Sequence, residues 1–472
     1  MRKLKIISMF LFLLSFLIGC SKDPLPEIRT EASAVTQKVN SFVKLVMNDV
    51  YLWYKDVPDL DIRYELDSED YFYKLLNNED KWSFITDDLK SLESSFEGVE
   101  TAFGYSLAFG EFSNTGNIFA VVEYVYPNTP ASEAGIARGD IIVEMSGNDI
   151  TKDNYTDLLN AANLNLSFGI LGAGGISIDP KTVNIVAKEL NLNPVLISNV
   201  VEHGNKKIGY LFYAQYIGEF NPSLDKAFQL FKDEGITDLV VDLRYNPGGG
   251  VDAAQYLCSS IAPLNVVNNE ETLVTFQWND KYQEEFQSNN DVDNLKISFI
   301  NTTSVKLGLD RVYFLTGTGT ASASELSITG LKPYMGVTTI GETTYGKYTA
   351  SQTIKPEYYY RNASDYRDFS NWGIQPIIAR FANSLGVTDF KDGFAPDVPV
   401  EEDLFSGIPL GSMEDPLFKA ALETITGTPV IAIKEARKPA PEFTIFDRGF
   451  SKYDVNKREL LLDGLDLNIL KK

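Results

Sequence analysis

The sequence predicts a multidomain α/β protein, and three observations lead there. Its 472 residues are enough for two to four domains at roughly 100–200 residues each. From about 196 to 400, strand-like apolar runs alternate with helix-like segments, the order of an α/β core. Ahead of that core the texture changes from helical and aromatic (33–100) to short strands and glycine turns (101–192).

The first residues lie outside this plan. "MRKLKIISMFLFLLSFLIGC" carries three basic residues, an apolar run and then Leu17-Ile18-Gly19-Cys20. That reads as a secretory signal over 1–19 with the lipobox pattern of bacterial lipoproteins. Cys20 is the expected lipidation site, and 20–32 is a tether. The apolar run is short for a spanning helix, which needs about 20 residues; an uncleaved anchor is the alternative. The expected location is therefore the bacterial cell envelope, facing the periplasm or the exterior, with the lipid on Cys20 in the membrane.

Loss of Arg2, Lys3 and Lys5 with the signal takes the formal net charge from −23 to −26. Such an acidic chain disfavours nucleic acid and anionic lipid heads. With Cys20 lipidated, Cys258 has no partner for an intrachain disulfide, and its helical apolar surroundings read as packing. One histidine and one remaining cysteine starve a zinc site, and no acidic loop of calcium type is present. No metal or cofactor is expected.

Within 33–100, Val39, Phe42, Val43, Val46 and Met47 recur at a helical period, and "DVP" stops the helix. "SEDYFYKLLNNEDKWSF" suggests a second one. Tyr51, Trp53 and Tyr54 read as the core of a small helical cap rather than as a ligand box. In 101–192, "IFAVVEYV" is a strand, "TPASEAGI" a short helix with Pro130 near its first turn, and "ARGDIIVEMSGNDI" a turn, a strand and a hairpin. The run "PASEAGIARGDIIVEMSG" resembles the PDZ-domain signature. The resemblance implies capture of extended peptide ends by strand addition, with Phe103, Gly104, Tyr105 and Ser106 as the loop that holds a terminal carboxylate. The second glycine usual in that loop is Ser106 here. A PDZ unit that only packs against its neighbour is the alternative.

The core follows with "KKIGYLFYAQY" as a strand and "NPSLDKAFQLFKDEG" as a helix ending at Gly235. "ITDLVVDLRYNPGG" is a buried strand running into a glycine turn, and "VDAAQYLCSSIAP" a helix. The polar stretch 264–310 reads as an insertion of short strands and loops near the site. "DRVYFLTGTGTASASELSITGL" repeats strand, turn and helix. "GVTTIGETTYGK" is another strand and loop. The extension 401–472 offers one helix, "DPLFKAALETI", and a charged tail without an evident role.

Three segments carry chemistry. Ser322 sits among small residues where a strand becomes a helix, the setting of an exposed nucleophile. Asp242 to Gly250 ends a strand in glycines whose bare amides suit an oxyanion. Lys347 ends "GETTYGK". A serine nucleophile needs a base, and the single histidine, His203, lies in a turn beside Gly204. Lysine is the better candidate. Its ordinary pKa near 10.4 makes it useless as a base at neutral pH, so the role demands a dry pocket with no carboxylate near its nitrogen. Glu342 should then point elsewhere. Glu325, three residues after Ser322, should cap or pair locally.

These motifs, in this order over about 100–400, resemble the carboxyl-terminal processing, or tail-specific, serine proteases. "LVVDLRYNPGGG", "GTASASE", "IGETTYGK" and, more weakly, "GIQPIIARFANSLG…DGFAPDV" carry the likeness, with 25 positions from Ser322 to Lys347. The resemblance implies Ser322 as nucleophile and Lys347 as general base. It implies Gly248 or Gly249, with Ala323, as oxyanion donors, and Gln352 orienting the lysine if the chain bulges by one residue. The implied fold is a helical cap, a PDZ domain and a crotonase-like α/β core. The implied partners are proteins or peptides with exposed C-termini. The aspartate that some members have eleven residues after the serine is Pro333 here. Two other readings stay open: a non-catalytic, chaperone-like PDZ lipoprotein of the envelope, and an esterase or amidase using the same pair.

Overall fold

A computed structural model describes residues 29–172, 175–429, 442–449 and 460–462. The expected signal, the tether up to residue 28 and Cys20 lie outside the described residues. No helix among the described residues is long and apolar enough to cross a membrane.

The central sheet has six strands in the order Val195–His203, Lys206–Tyr213, Asp238–Asp242, Arg311–Thr316, Gly336–Gly341 and Val398–Pro399. The first pair is antiparallel and the rest are parallel. Parallel sheets need both faces covered, and alternation along each strand supplies two apolar faces. Leu211, Tyr213, Leu239, Val241, Val312 and Phe314 face one core, packed with residues of the helices Asn221–Glu234, Val251–Ile261 and Ala323–Leu331. Tyr210, Phe212, Val240, Tyr313, Leu315 and Ile340 face the other, with the helix Pro416–Thr426 and the strand residues Phe112, Phe119 and Val121.

The N-terminal region begins with the helix Ala34–Asp49, capped by the Ser33 hydroxyl on the Thr36 amide. Its buried face (Val39, Phe42, Val43, Val46, Met47) belongs to the first core, and Phe84–Thr86 pairs with Gly373–Gln375. The region is thus continuous with the central core rather than a cap with a core of its own. Tyr51 is fully buried, while Trp53 and Tyr54 pack against the same core, as expected of core aromatics.

A second sheet runs in the order Gly249–Gly250, Leu460–Leu461, Thr349–Ser351, Ile377–Asn383, Thr272–Trp278 and Lys296–Ser298. The stretch 264–310 is therefore not merely strands and loops beside the fold. It contributes the helices Leu264–Asn268, Asp280–Ser288 and Val292–Leu295, and two strands of this sheet. The polar surface of these short helices hid their period from a sequence reading.

The third sheet holds Phe443–Gly449, Tyr105–Phe112, Ile118–Val125, Ile141–Met145, Asn163–Gly172 and Gly175–Val186, in that order, with Asn148–Asp149 beside Ile141–Met145. Thr129 caps the short helix Pro130–Glu133, with Pro130 at its start as expected. The outermost strand comes from the chain's last 30 residues, in what the sequence shows only as a charged tail.

Candidate active site

The strands Asp238–Asp242 and Arg311–Thr316 are parallel neighbours, so both deliver their following turns to one edge of the sheet. The first turn is anchored by Arg244, fully buried between Asp242 and Asp415 at 2.8 Å each. Glu402, 3.2 Å from Arg244, completes the cluster. Burial alone would raise the Glu402 carboxyl, but Arg244 and Arg138 hold it at about 2.

Asn246 ties the two turns together. Its side chain donates to the Tyr213 carbonyl (2.8 Å), and its own carbonyl accepts the Ala321 amide (3.1 Å) and the Ser324 hydroxyl (3.2 Å). Gly319 is required here, because a Cβ would lie 2.8 Å from the Arg244 carbonyl oxygen.

Ser322 follows with φ +60° and ψ −111°, a conformation L-residues rarely adopt. Strain of this kind costs about 1–3 kcal/mol and persists only where the surroundings impose it. The Ser322 hydroxyl is buried with no hydrogen-bond partner among the described residues. Ala323 opens the helix Ala323–Leu331, so its amide has no intrahelical acceptor.

What imposes the turn is Glu325. One carboxylate oxygen accepts the amides of both Ser322 and Lys347, each at 2.8 Å. Those two nitrogens are therefore no further apart than twice that distance. The other oxygen accepts the Gly346 amide (2.7 Å) and the Thr344 hydroxyl (2.6 Å). Burial pushes the Glu325 carboxyl up to about 7, against four hydrogen bonds that favour its charged form. The expected local cap is thus also the bolt between the serine turn and the lysine loop.

Lys347 is fully buried, with Nζ 6.0 Å from the ring centroid of Trp82, which the N-terminal region supplies. Glu342 turns away, accepting the Glu402 amide at 3.3 Å. Nothing in the sequence singled out Trp82, which tertiary packing brings in; Asn246 lies in the glycine turn the sequence pointed to, but its tie to the serine turn is set by packing.

Two expectations are corrected by geometry. The Gly248 amide is not available for an oxyanion, because it donates to Asn246 Oδ1 at 2.9 Å. The Gly248 carbonyl and the Gly250 amide both bond Tyr216, so the Gly249 peptide faces the opposite side, where Leu460 pairs. Gly249, at φ +134°, could not carry a side chain there, since a Cβ would lie 2.2 Å from Tyr216 O. Gln352 does not orient the lysine: its Oε1 is buried with no hydrogen-bond partner among the described residues. The extra residue in the ladder at this point is Ile378, on the neighbouring strand.

His203 sits in a hairpin with Lys206, beside the start of the parallel strands, whereas Ser322 follows their far ends. A strand of five residues separates the two ends by roughly 16 Å. Cys258 is buried, and burial pushes its thiol up to about 12, as suits a packing residue. Of the expected peptide loop, Phe103, Tyr105 and Ser106 are buried, and the Ser106 hydroxyl donates to Glu123 at 2.9 Å. Gly104 lies against Thr129 at φ +88°.

Comparison with known proteins fits this geometry. Residues 207–400 match Peptidase family S41, and residues 38–84 match the Peptidase S41 N-terminal domain. The chain belongs to peptidase family S41. Residues 121–164 of this S41 peptidase match a PDZ domain, so the 103–106 loop precedes the matched stretch. The "Carboxyl-terminal-processing protease" of Synechocystis sp. is 25% identical over 387 residues, 78% of this chain and 82% of that protein. The "Carboxy-terminal processing protease CtpB" of Bacillus subtilis is 27% identical over 339 residues, 69% of this chain and 60% of that protein. A crystal structure of a candidate S41 protease from Bacteroides fragilis superposes with a TM-score of 0.65 at 27% identity, covering 82% of this chain and 97% of that one. Family and relatives make the S41 peptidase a serine-type peptidase of multidomain α/β architecture.

Proposed function

We propose that the chain is a serine endopeptidase working through Ser322 and Lys347 on envelope or exported proteins, recruited by unstructured C-termini at the PDZ domain. The observation that carries this is the shared Glu325 oxygen, which fixes the backbone of both residues in one buried place. The strained Ser322 turn and the fully buried Lys347 support it.

In this mechanism neutral Lys347 Nζ takes the Ser322 proton while Oγ adds to the scissile carbonyl carbon. The amides of Ala323 and Gly249 receive the developing negative oxygen. Collapse breaks the C–N bond, and Lys347 returns the proton to the leaving amine. Water, deprotonated by the same lysine, then hydrolyses the acyl-enzyme. Burial keeps the ammonium form costly, which is what a lysine base requires. A C-terminus held at the PDZ domain raises the local concentration of the chain to be cut.

The lipobox ending at Cys20 supports an envelope location with the protein tethered by lipid. The test uses the soluble form lacking residues 1–20 on casein. Turnover should vanish in Ser322→Ala and in Lys347→Ala; equal turnover in Ser322→Ala removes the proposal.

A further inference from the structure

The strand Phe443–Gly449 lies antiparallel on Tyr105–Phe112, from Phe443 opposite Phe112 to Gly449 opposite Leu107. It runs toward the 103–106 loop, the direction a peptide takes when its C-terminus ends there. Phe446 packs between the strand and the helix Tyr155–Leu159, its ring centroid 6.4 Å from Phe109 and 5.6 Å from Tyr155. The Tyr155 hydroxyl donates to Asp447 at 2.7 Å. Backbone pairing with an alternate side chain in a pocket is how a peptide is added to a sheet edge.

Arg448 goes further than packing. It forms an ion pair with Glu123, which is 1% exposed, and its guanidinium donates to the Thr318 hydroxyl at 3.2 Å. Thr318 lies four residues before Ser322. Beyond, Leu460 and Leu461 pair in parallel with Gly249 and Gly250 on one side. On the other side Leu461 pairs with Ser351, and the Leu462 amide donates to the Ser351 carbonyl at 3.0 Å. The tail strand therefore lies between the glycine turn and the strand that follows Lys347, where an extended substrate would add.

We propose that the chain's own C-terminal segment is an intramolecular peptide ligand that fills both the PDZ edge and the catalytic cleft, and that substrates must displace it. This rests on the Ser322–Lys347 reading for the cleft, but not for the PDZ edge. The ligand class follows from the contacts. A displaced Arg448 leaves Glu123 buried without its cation, and a buried unpaired charge is strongly unfavourable. The competing chain is therefore an extended C-terminal segment with an aromatic residue and, two positions later, a basic one.

The probe is a fluorescein-labelled synthetic peptide of residues 442–462. It is titrated into full-length Ser322→Ala and into Ser322→Ala combined with Phe446→Ala and Arg448→Ala. The second protein should bind at least ~10-fold tighter, because the tethered competitor is weakened. A peptide with glutamate in place of the arginine should bind at least ~10-fold more weakly. With Ser322 intact, the tail variant should raise kcat/KM on casein, chiefly through KM. A second route avoids substitutions in the tail: a foreign protease site placed within 430–441 and cut after folding, which should give the same gain. Equal peptide affinity in the two Ser322→Ala proteins, with no gain after cutting, overturns the inference. Tighter peptide binding without any casein turnover keeps this inference and removes the protease mechanism.

Discussion

The proposed catalytic centre and the proposed peptide edge beside the PDZ match are built by opposite means. At the centre, residues close in sequence are locked by one carboxylate: Glu325 holds Ser322 three positions before it and Gly346 and Lys347 about twenty after it. At the PDZ edge, the groove is closed by a strand more than 330 positions away, through Phe446, Asp447 and Arg448. The first arrangement is buried and over-determined. The second is an edge pairing, and edge pairings exchange with other strands. On the proposed reading, the contrast means that the chemistry is fixed in place while access to it is negotiable.

The largest expected effect attacks the centre. Ser322→Ala and Lys347→Ala should each lower kcat by about 10⁴-fold or more, since residues that act as a unit fail together. Stopped assays on casein check this, and peptide binding at the PDZ edge should survive in both. Glu325→Ala comes next. Four buried donors would lose their acceptor, and the fold should lose about 3 kcal/mol or more in urea denaturation.

Glu325→Gln sharpens the same point through pH. The folded carboxyl titrates at about 7, above its ordinary 4.5. Stability from its raised value is thus fully present below pH 4.5 and lost as pH rises through 7. Urea midpoints should fall over that window in the wild type and more shallowly in Glu325→Gln.

At the edge the effects should be smaller and local. Arg448→Ala should loosen the strand Phe443–Gly449 by roughly 2–3 kcal/mol, read as faster amide exchange there and at Tyr105–Phe112, with the core sheet unchanged. Tyr155→Phe removes a single hydrogen bond to Asp447 and should cost about 1 kcal/mol. If Tyr155→Phe instead abolished turnover, the separation of the two regions would be wrong.

Much of the centre is legible in the sequence because it is written in backbone-directed residues. The glycines after Asp242, the small residues around Ser322 and the Ser-to-Glu spacing each specify local geometry by sterics and capping. The alternation within Tyr210–Tyr213 and Val312–Leu315 likewise announces a sheet buried on both faces. The helices of 264–310 were illegible because short polar helices have too little apolar face to show a period. Gly248 reads as an oxyanion donor until Asn246 takes its amide, and Gln352 reads as the lysine's partner, yet its Oε1 is buried with no hydrogen-bond partner among the described residues.

The sequence by itself determined the α/β order, the glycine turn after Asp242 and the local cap at Ser322, because sterics and periodicity act between near neighbours. Tertiary structure alone decided the rest: Trp82 beside the lysine, Glu325 bridging two loops, and residues 443–449 and 460–462 in two separate sheets. Strand pairing between distant segments depends on which edges are left open, and an open edge exists only once the remainder of the chain has packed.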